Sequence, residues 1–189
     1  MNIIDELDWR GAINQQTDEE GLKKLTEEKS IGLYAGIDPT GDSMHIGHLI
    51  PFMVLKRFQQ AGHKPVILIG GGTGSIGDPS GKKSERVLQS MEQVHHNEEA
   101  LKKQLVKFFG TDNFRIVNNY DWLSKMSLLD FLRDYGKLFN VNTMLAKDIV
   151  ASRLEVGISF TEFTYQILQS VDFLHLYKHE DVQLQNWWW

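Results

Sequence analysis

The sequence predicts an α/β protein built on a parallel sheet, and three observations carry that prediction. Two apolar runs, residues 31–39 ("IGLYAGIDP") and 64–72 ("KPVILIGGG"), are short, β-rich and stopped by turn residues, as buried strands are. Between and after them lie stretches with apolar residues at helical spacing. Strand and helix patterns therefore alternate along the chain, which favours parallel strands joined by helical crossovers.

The elements follow in order. Residues 3–30 mix apolar and charged side chains and read as a helix, a break and a second helix closing near Ser30. The first strand ends at Asp38-Pro39, and residues 45–62 ("HIGHLIPFMVLKRFQQAG") form a helix ending at Gly62, with its cations in the later half. Pro51 removes one bond within it and predicts a slight kink. The second strand runs into a glycine-rich loop. Residues 90–110 are an amphipathic helix, 114–123 ("FRIVNNYDWL") a third strand, and 127–139 and 142–157 further helices. Residues 159–180 form one more helix, and "DVQLQ" at 181–185 opens a possible strand.

Composition narrows the function. The 189 residues are 41% apolar, carry a net charge of −5 and include no cysteine. Disulfides and thiolate metal sites are excluded, no metal site is expected, and no global basic footprint marks a nucleic-acid binder. The acidic start "MNIIDELDWRG" lacks the basic and apolar regions of a signal peptide, and no apolar run is long enough to span a membrane. A cytoplasmic location is the expectation.

In parallel sheets ligands sit beyond the carboxyl ends of the strands, so the loops there carry the chemistry. The first is "YAGIDPTGDSMHIGH". Gly47 opens its helix and lets a ligand approach the backbone, where N–H groups and the helix dipole favour phosphate. His45 and His48 share one face of the first turn, and Thr40 offers a hydroxyl. Two surface histidines on a capped helix are the plainer alternative. The second loop, "GGGTGSIGDPSGKKSER", holds two decoys. Residues 72–77 match G-x-G-x-x-G, but Asp78-Pro79 follows where a dinucleotide fingerprint must open a helix. A phosphate-binding P-loop fails as well, because position 76 is Ile and position 83 is Lys. What remains is a carboxylate at Asp78 and the cations Lys82, Lys83 and Arg86. The third feature is a polar stripe, Tyr165, Gln169 and Asp172, on an otherwise apolar helix. Buried polar groups need partners, so the stripe predicts a small polar pocket suited to an amino acid.

Together "LYAGIDPTGDSMHIGH", "GGGTGSIGDPSGKKSER", "YDWL…FLRDYGK", "VNTMLAKD" and "GISFTEFTYQILQSVDF" resemble the bacterial tyrosyl-tRNA synthetases, which are class I synthetases. The likeness runs from Leu7 to Gln185. It implies a Rossmann-like parallel sheet, of which residues 1–185 would be the first half of the catalytic domain only. Residues 1–30 would be N-terminal helices, 31–120 the nucleotide- and tyrosine-binding part, and 121–185 the connective, dimer-interface part. The resemblance further implies that Tyr34 and Asp172 bond the substrate phenol, and that Asp78, Tyr165 and Gln169 hold its ammonium. The stretch Pro39, Thr40, Gly41, Asp42, Ser43, Met44, His45, Ile46, Gly47 and His48 would bind ATP. Thr40, His45 and His48, with Lys82 and Arg86, would serve catalysis at the phosphates, and Gly36 and Asp38 would shape the pocket floor. ATP enters as substrate with Mg²⁺ on its phosphates, and no prosthetic group is implied. The implied partners are L-tyrosine, ATP, tRNA-Tyr for a full-length parent, and a second copy meeting the region around Phe160; no membrane partner is implied. Another HIGH-bearing nucleotidylyltransferase fits less well because it would not need the polar stripe. A tryptophanyl enzyme is nearer, but Tyr34 with Asp172 suits a phenol better than an indole.

Two departures from the family pattern stand out. Lys125-Met126-Ser127 only imitates the family's KMSKS loop, and no true copy or tRNA-binding domain is present, so the chain alone is expected to be inactive or nearly so. A noncatalytic fragment that pairs with an intact subunit is the alternative. The tail after Gln185, "NWWW", can be read through the genetic code. A parental CAA ATT GGT GGT GGT GAT, given one extra A, becomes CAA AAT TGG TGG TGG TGA. That reads Gln-Asn-Trp-Trp-Trp-stop, so residues 186–189 are expected to be a frameshift product. An uninterrupted parental frame in the coding DNA would sink that reading.

Overall fold

The computed structural model describes residues 1–76, 89–147, 150, 151, 154 and 157–187. Four parallel strands form one sheet: β1 (Gly32–Ile37), β2 (Lys64–Ile69), β3 (Arg115–Asn118) and β4 (Val182–Gln185), in the order β3-β2-β1-β4. The alternation read from the sequence is thus a parallel α/β sheet. Register explains the buried runs. Tyr34 lies opposite Val66, and Ala35 opposite Ile67. Because successive strand residues face opposite ways, each central strand must be apolar on both faces. Leu33, Ala35, Ile37, Ile67 and Ile69 build one core, and Tyr34, Val66 and Leu68 build the other.

Helices cover both faces. α1 (Ile3–Trp9), α3 (Ile46–Gln60) and α5 (Met91–Phe109) supply Leu7, Phe52, Leu55, Leu101 and Leu105 to the first core. Each such side chain contributes ~1.5–3 kcal/mol when fully buried. α9 (Phe160–His179) brings Leu176 to the second core, and Met144 of α8 (Val141–Leu145) packs with its Ile167 and Val171. Polar residues start the helices: Asn2, Asp18 of α2 (Glu19–Glu28), Ser90 and Ser159 each accept a bond from a backbone N–H in the first turn. α3 runs through Pro51 as a single helix.

Three expectations need correction. The strand expected over 114–123 ends at Asn118, and Tyr120–Leu123 is a helical turn, α6. The Asn118 side chain accepts from the N–H groups of Gly71 and Tyr120, offering the backbone an alternative to the ladder. The helix expected over 127–139 is three short pieces: α7 (Leu128–Asp130), a π turn (Phe131–Tyr135) and a 3₁₀ turn (Gly136–Leu138). The last begins at Gly136, a residue type that weakens helices. The glycine run after β2 is not all loop, since Gly71–Gly74 forms a single helical turn, α4. The helix expected over 142–157 falls partly outside the described residues.

β3 and β4 are the two edge strands of the sheet among the described residues. A cleft of about 1410 Å³ is lined by Leu7, Val54, Phe173 and Leu184 among others. Among the described residues no helix is long and apolar enough to cross a membrane.

Candidate functional site

The residues that follow three of the strands converge. Asp38 follows β1, Gly70 follows β2 and Asn119 follows β3. This is the carboxyl end of the sheet, where parallel folds place ligands. The Thr73 hydroxyl donates to Asp38 Oδ1 at 2.7 Å, and the Tyr165 hydroxyl donates to Asp38 Oδ2 at 2.8 Å. Asn119 Nδ2 donates to Thr73 Oγ1 at 3.0 Å and to Asp172 Oδ2 at 2.9 Å. The Trp122 indole N–H donates to Asp172 Oδ1 at 2.8 Å. Gly70 has no room for a side chain: a Cβ there would lie 1.9 Å from Asp38 Oδ1 and 2.4 Å from Thr73 Oγ1.

Burial sets the electrostatics. Asp172 is 1% exposed, Thr73 2% and Asn119 fully covered. Burial pushes the Asp172 carboxyl up to about 7; the bonds from Asn119 and Trp122 work against this, and the nearby Asp38 charge adds to it. Burial, and then the Asp172 charge, push the Tyr34 phenol up. Tyr34 packs on Phe173 with ring centroids 5.6 Å apart.

The helix after β1 starts with a reciprocal cap. His45 Nδ1 accepts from the Gly47 N–H at 3.1 Å, and His48 Nδ1 accepts from the His45 N–H at 3.2 Å. The two rings stack at 3.6 Å. Burial, and then His45, push the His48 imidazole down, so it stays neutral at neutral pH. A neutral ring that accepts at Nδ1 carries its proton on Nε2, so the His48 Nε2–H is a donor that the cap does not use. The capping role of the two Nδ1 atoms leaves both Nε2 atoms unused by the cap. The loop before the helix is tied to α5: Gln104 accepts from the Met44 N–H and donates to the Asp42 carbonyl, Asn97 donates to the Pro39 carbonyl, and Gln89 to that of Thr40. Thr40, Gly41, Asp42, Ser43, His45 and Ile46 are exposed, and Pro39 is buried.

The structure thus brings Tyr34 together with Asp172, and Tyr165 together with Asp38. Tyr165 and Gln169 both line the large cleft. Asp78, Lys82 and Arg86 lie outside the described residues. Among the described residues no three His, Asp or Glu side chains gather as a metal site. Sequence reading missed Thr73, Asn119 and Trp122. Reading 114–123 as one strand hid the last two, although a polar Asn-Asn pair at a strand's carboxyl end was a usable signal.

Comparison with known proteins shows the family and the fold. Residues 26–185 match the family model of the tRNA synthetases class I (W and Y). The chain is 95% identical over 185 residues to a tyrosine--tRNA ligase of Pediococcus pentosaceus and 79% identical to that of Limosilactobacillus reuteri. Each alignment covers 98% of this chain but 44% of the relative, so the chain spans less than half the length of these curated proteins. Its fold superimposes on a C-terminally truncated mitochondrial tyrosyl-tRNA synthetase of Aspergillus nidulans with a TM-score of 0.86 and 34% identity, over 97% of this chain and 56% of that one. With the family match covering most of its length, this chain belongs to the class I tRNA synthetases of the tryptophanyl and tyrosyl group.

Proposed function

We propose that this chain carries the tyrosine-binding and ATP-phosphate-facing part of a tyrosine--tRNA ligase, which joins tyrosine to ATP as tyrosyl-adenylate and then charges tRNA-Tyr. The observation that carries the reading is the buried Asp172 carboxylate, held by Asn119 and Trp122 beside Tyr34. In this reading Asp172 and Tyr34 bond the substrate phenol. An analogue lacking the hydroxyl would leave those groups unpaired, which is why such a site rejects phenylalanine. Tyr165 and Gln169, with Asp78, receive the ammonium. Gly36 and Asp38 shape the pocket floor.

The Nε2–H donors of His45 and His48, with Thr40 and the exposed residues 41–43, face the ATP phosphates, and Lys82 and Arg86 complete the charge. The tyrosine carboxylate is already ionised, so its attack on the α-phosphorus needs no general base, and catalysis is positioning plus stabilisation of the departing pyrophosphate. Mg²⁺ enters with ATP as part of the substrate.

Isothermal titration with tyrosine and a pyrophosphate-exchange assay test this. Tyrosine binding with exchange far below that of a full-length relative is expected. No preference for tyrosine over phenylalanine would overturn the site assignment, and turnover near the full-length level would overturn the expected loss of activity. A second reading, a noncatalytic subunit pairing with a copy of itself or an intact relative, is favoured by one observation. Leu128, Leu129, Leu138 and Phe160 are large apolar side chains between 70% and 75% exposed.

A further inference from the structure

We infer that Thr73 is a positioning residue: its hydroxyl, together with the Gly72 N–H, holds the Asn119 amide so that its NH₂ donates to Asp172. A hydroxyl has one proton. That proton goes to Asp38 Oδ1 at 2.7 Å, so Thr73 can only accept from its other neighbour. The other neighbour is Asn119, whose amide must then turn its NH₂ toward Thr73 at 3.0 Å. With that orientation the second amide proton reaches Asp172 Oδ2 at 2.9 Å, and the amide oxygen accepts from the Gly72 N–H at 2.8 Å. The chain of donors runs Tyr165 to Asp38, Thr73 to Asp38, Asn119 to Thr73 and to Asp172, and Trp122 to Asp172. The Thr73 hydroxyl and the Asn119 amide are each satisfied in one direction only. Reversing the amide would set its oxygen against two acceptors and leave the Gly72 N–H facing a donor.

The network thus joins two carboxylates, Asp38 and Asp172. Thr73 touches neither expected end of the substrate itself. It acts through Asn119 on one carboxylate and directly on the other. Without the hydroxyl, one Asn119 proton is orphaned in a fully buried site and the amide re-aims, weakening its bond to Asp172. The groups that titrate against Asp172 are Asp38 and Tyr34, with His175 stacked on Trp122 at 4.1 Å.

The substrate side of this inference rests on the tyrosine reading above, so the deciding experiment does not use substrate. In the full chain, ¹³C-carboxyl NMR follows the titration of Asp172 in the native protein, Thr73→Val and Thr73→Ser. Thr73→Val raises the Asp172 midpoint by about one pH unit because an amide donor to the charged form is lost. Thr73→Ser restores it, since serine keeps the hydroxyl. An unmoved midpoint in Thr73→Val overturns the inference. Should that variant fail to fold, the native chain still decides: a slowly exchanging Thr73 hydroxyl proton near the Asn119 amide supports the inference, and a rapidly exchanging one overturns it. With substrate, Thr73→Val loses roughly tenfold of the preference for tyrosine over phenylalanine. A native chain with no such preference overturns the tyrosine reading and leaves the NMR result to judge Thr73.

Discussion

Replacing Asp172 with asparagine tests the central electrostatic claim in a way that needs no ligand. The carboxyl is raised from an ordinary 3.8 to about 7, chiefly by burial. At ~1.4 kcal/mol per pH unit, holding it ionised inside the fold costs on the order of 4 kcal/mol. The sign follows from proton counting. Between the unfolded and folded values the native state binds the extra proton, so the native chain loses stability as pH rises toward and through about 7. Integrated from about pH 5 to about pH 8, the loss is on the order of 2–3 kcal/mol. Asp172→Asn removes the charge but sets its NH₂ against a donor, Trp122 or Asn119, a penalty of ~1–3 kcal/mol that does not vary with pH. Tyr34 and Asp38 are present in both proteins and largely cancel in the difference. Urea unfolding of both across this range is therefore expected to show the native chain's advantage shrinking by roughly 2–3 kcal/mol. A difference that stays flat would mean that Asp172 is ionised throughout, and the desolvation argument would be wrong.

Three other perturbations separate roles that the geometry overlays. His45→Asn keeps a side-chain oxygen to cap α3, so stability should move by only a few tenths of a kcal/mol. Pyrophosphate or ATP affinity, read by titration, should still fall about tenfold because the Nε2–H donor is gone; equal affinities would reduce His45 to a helix cap. Gly70→Ala pushes a methyl into Asp38 and Thr73 and should cost about 2–4 kcal/mol in thermal unfolding. A melting temperature unchanged by that substitution would show that the network has slack. Phe160→Asp should abolish any dimer seen by light scattering, or any co-purification with an intact relative, while leaving tyrosine binding intact; persistence of the complex would move the interface elsewhere.

Much of the fold was legible because its signals are local. Residues 31–39 and 64–72 are buried on both faces, and such strands write themselves as unbroken apolar runs. The helix starts were equally local, since Ser90, Ser159 and His45 each sit one residue before the turn they cap. Where reading failed, the deciding contact was distant in sequence. Asn118 ends β3 by accepting from the Gly71 N–H, 47 residues away, which no window of neighbours contains. Asn119 and Trp122 reach Asp172 across 53 and 50 residues. Helical spacing put Tyr165, Gln169 and Asp172 on one face. It could not say that Tyr165 would turn to Asp38 while Asp172 turned to Asn119 and Trp122.

That division says where the site's stability comes from. Asp38, Gly70 and Asn119 each close a different strand, so the site forms only when β1, β2 and β3 are in register. Those three strands and the helices over them lie within this chain, and Asp172 arrives on α9, which packs on the same sheet through Leu176. The polar network is therefore fastened to the well-packed side of the molecule. β3 and β4 are both edge strands, but the 1410 Å³ cleft lies beside β4, and of the expected tyrosine contacts among the described residues only Tyr165 and Gln169 line it. An unpaired edge with apolar surface beside it favours self-association. Loss of order should accordingly begin at β4 and the cleft, reach Tyr165 and Gln169 next, and reach Asp172 last. Native-state hydrogen exchange reads that order directly. Amides of β4 exchanging as slowly as those of β1 and β2 would contradict it.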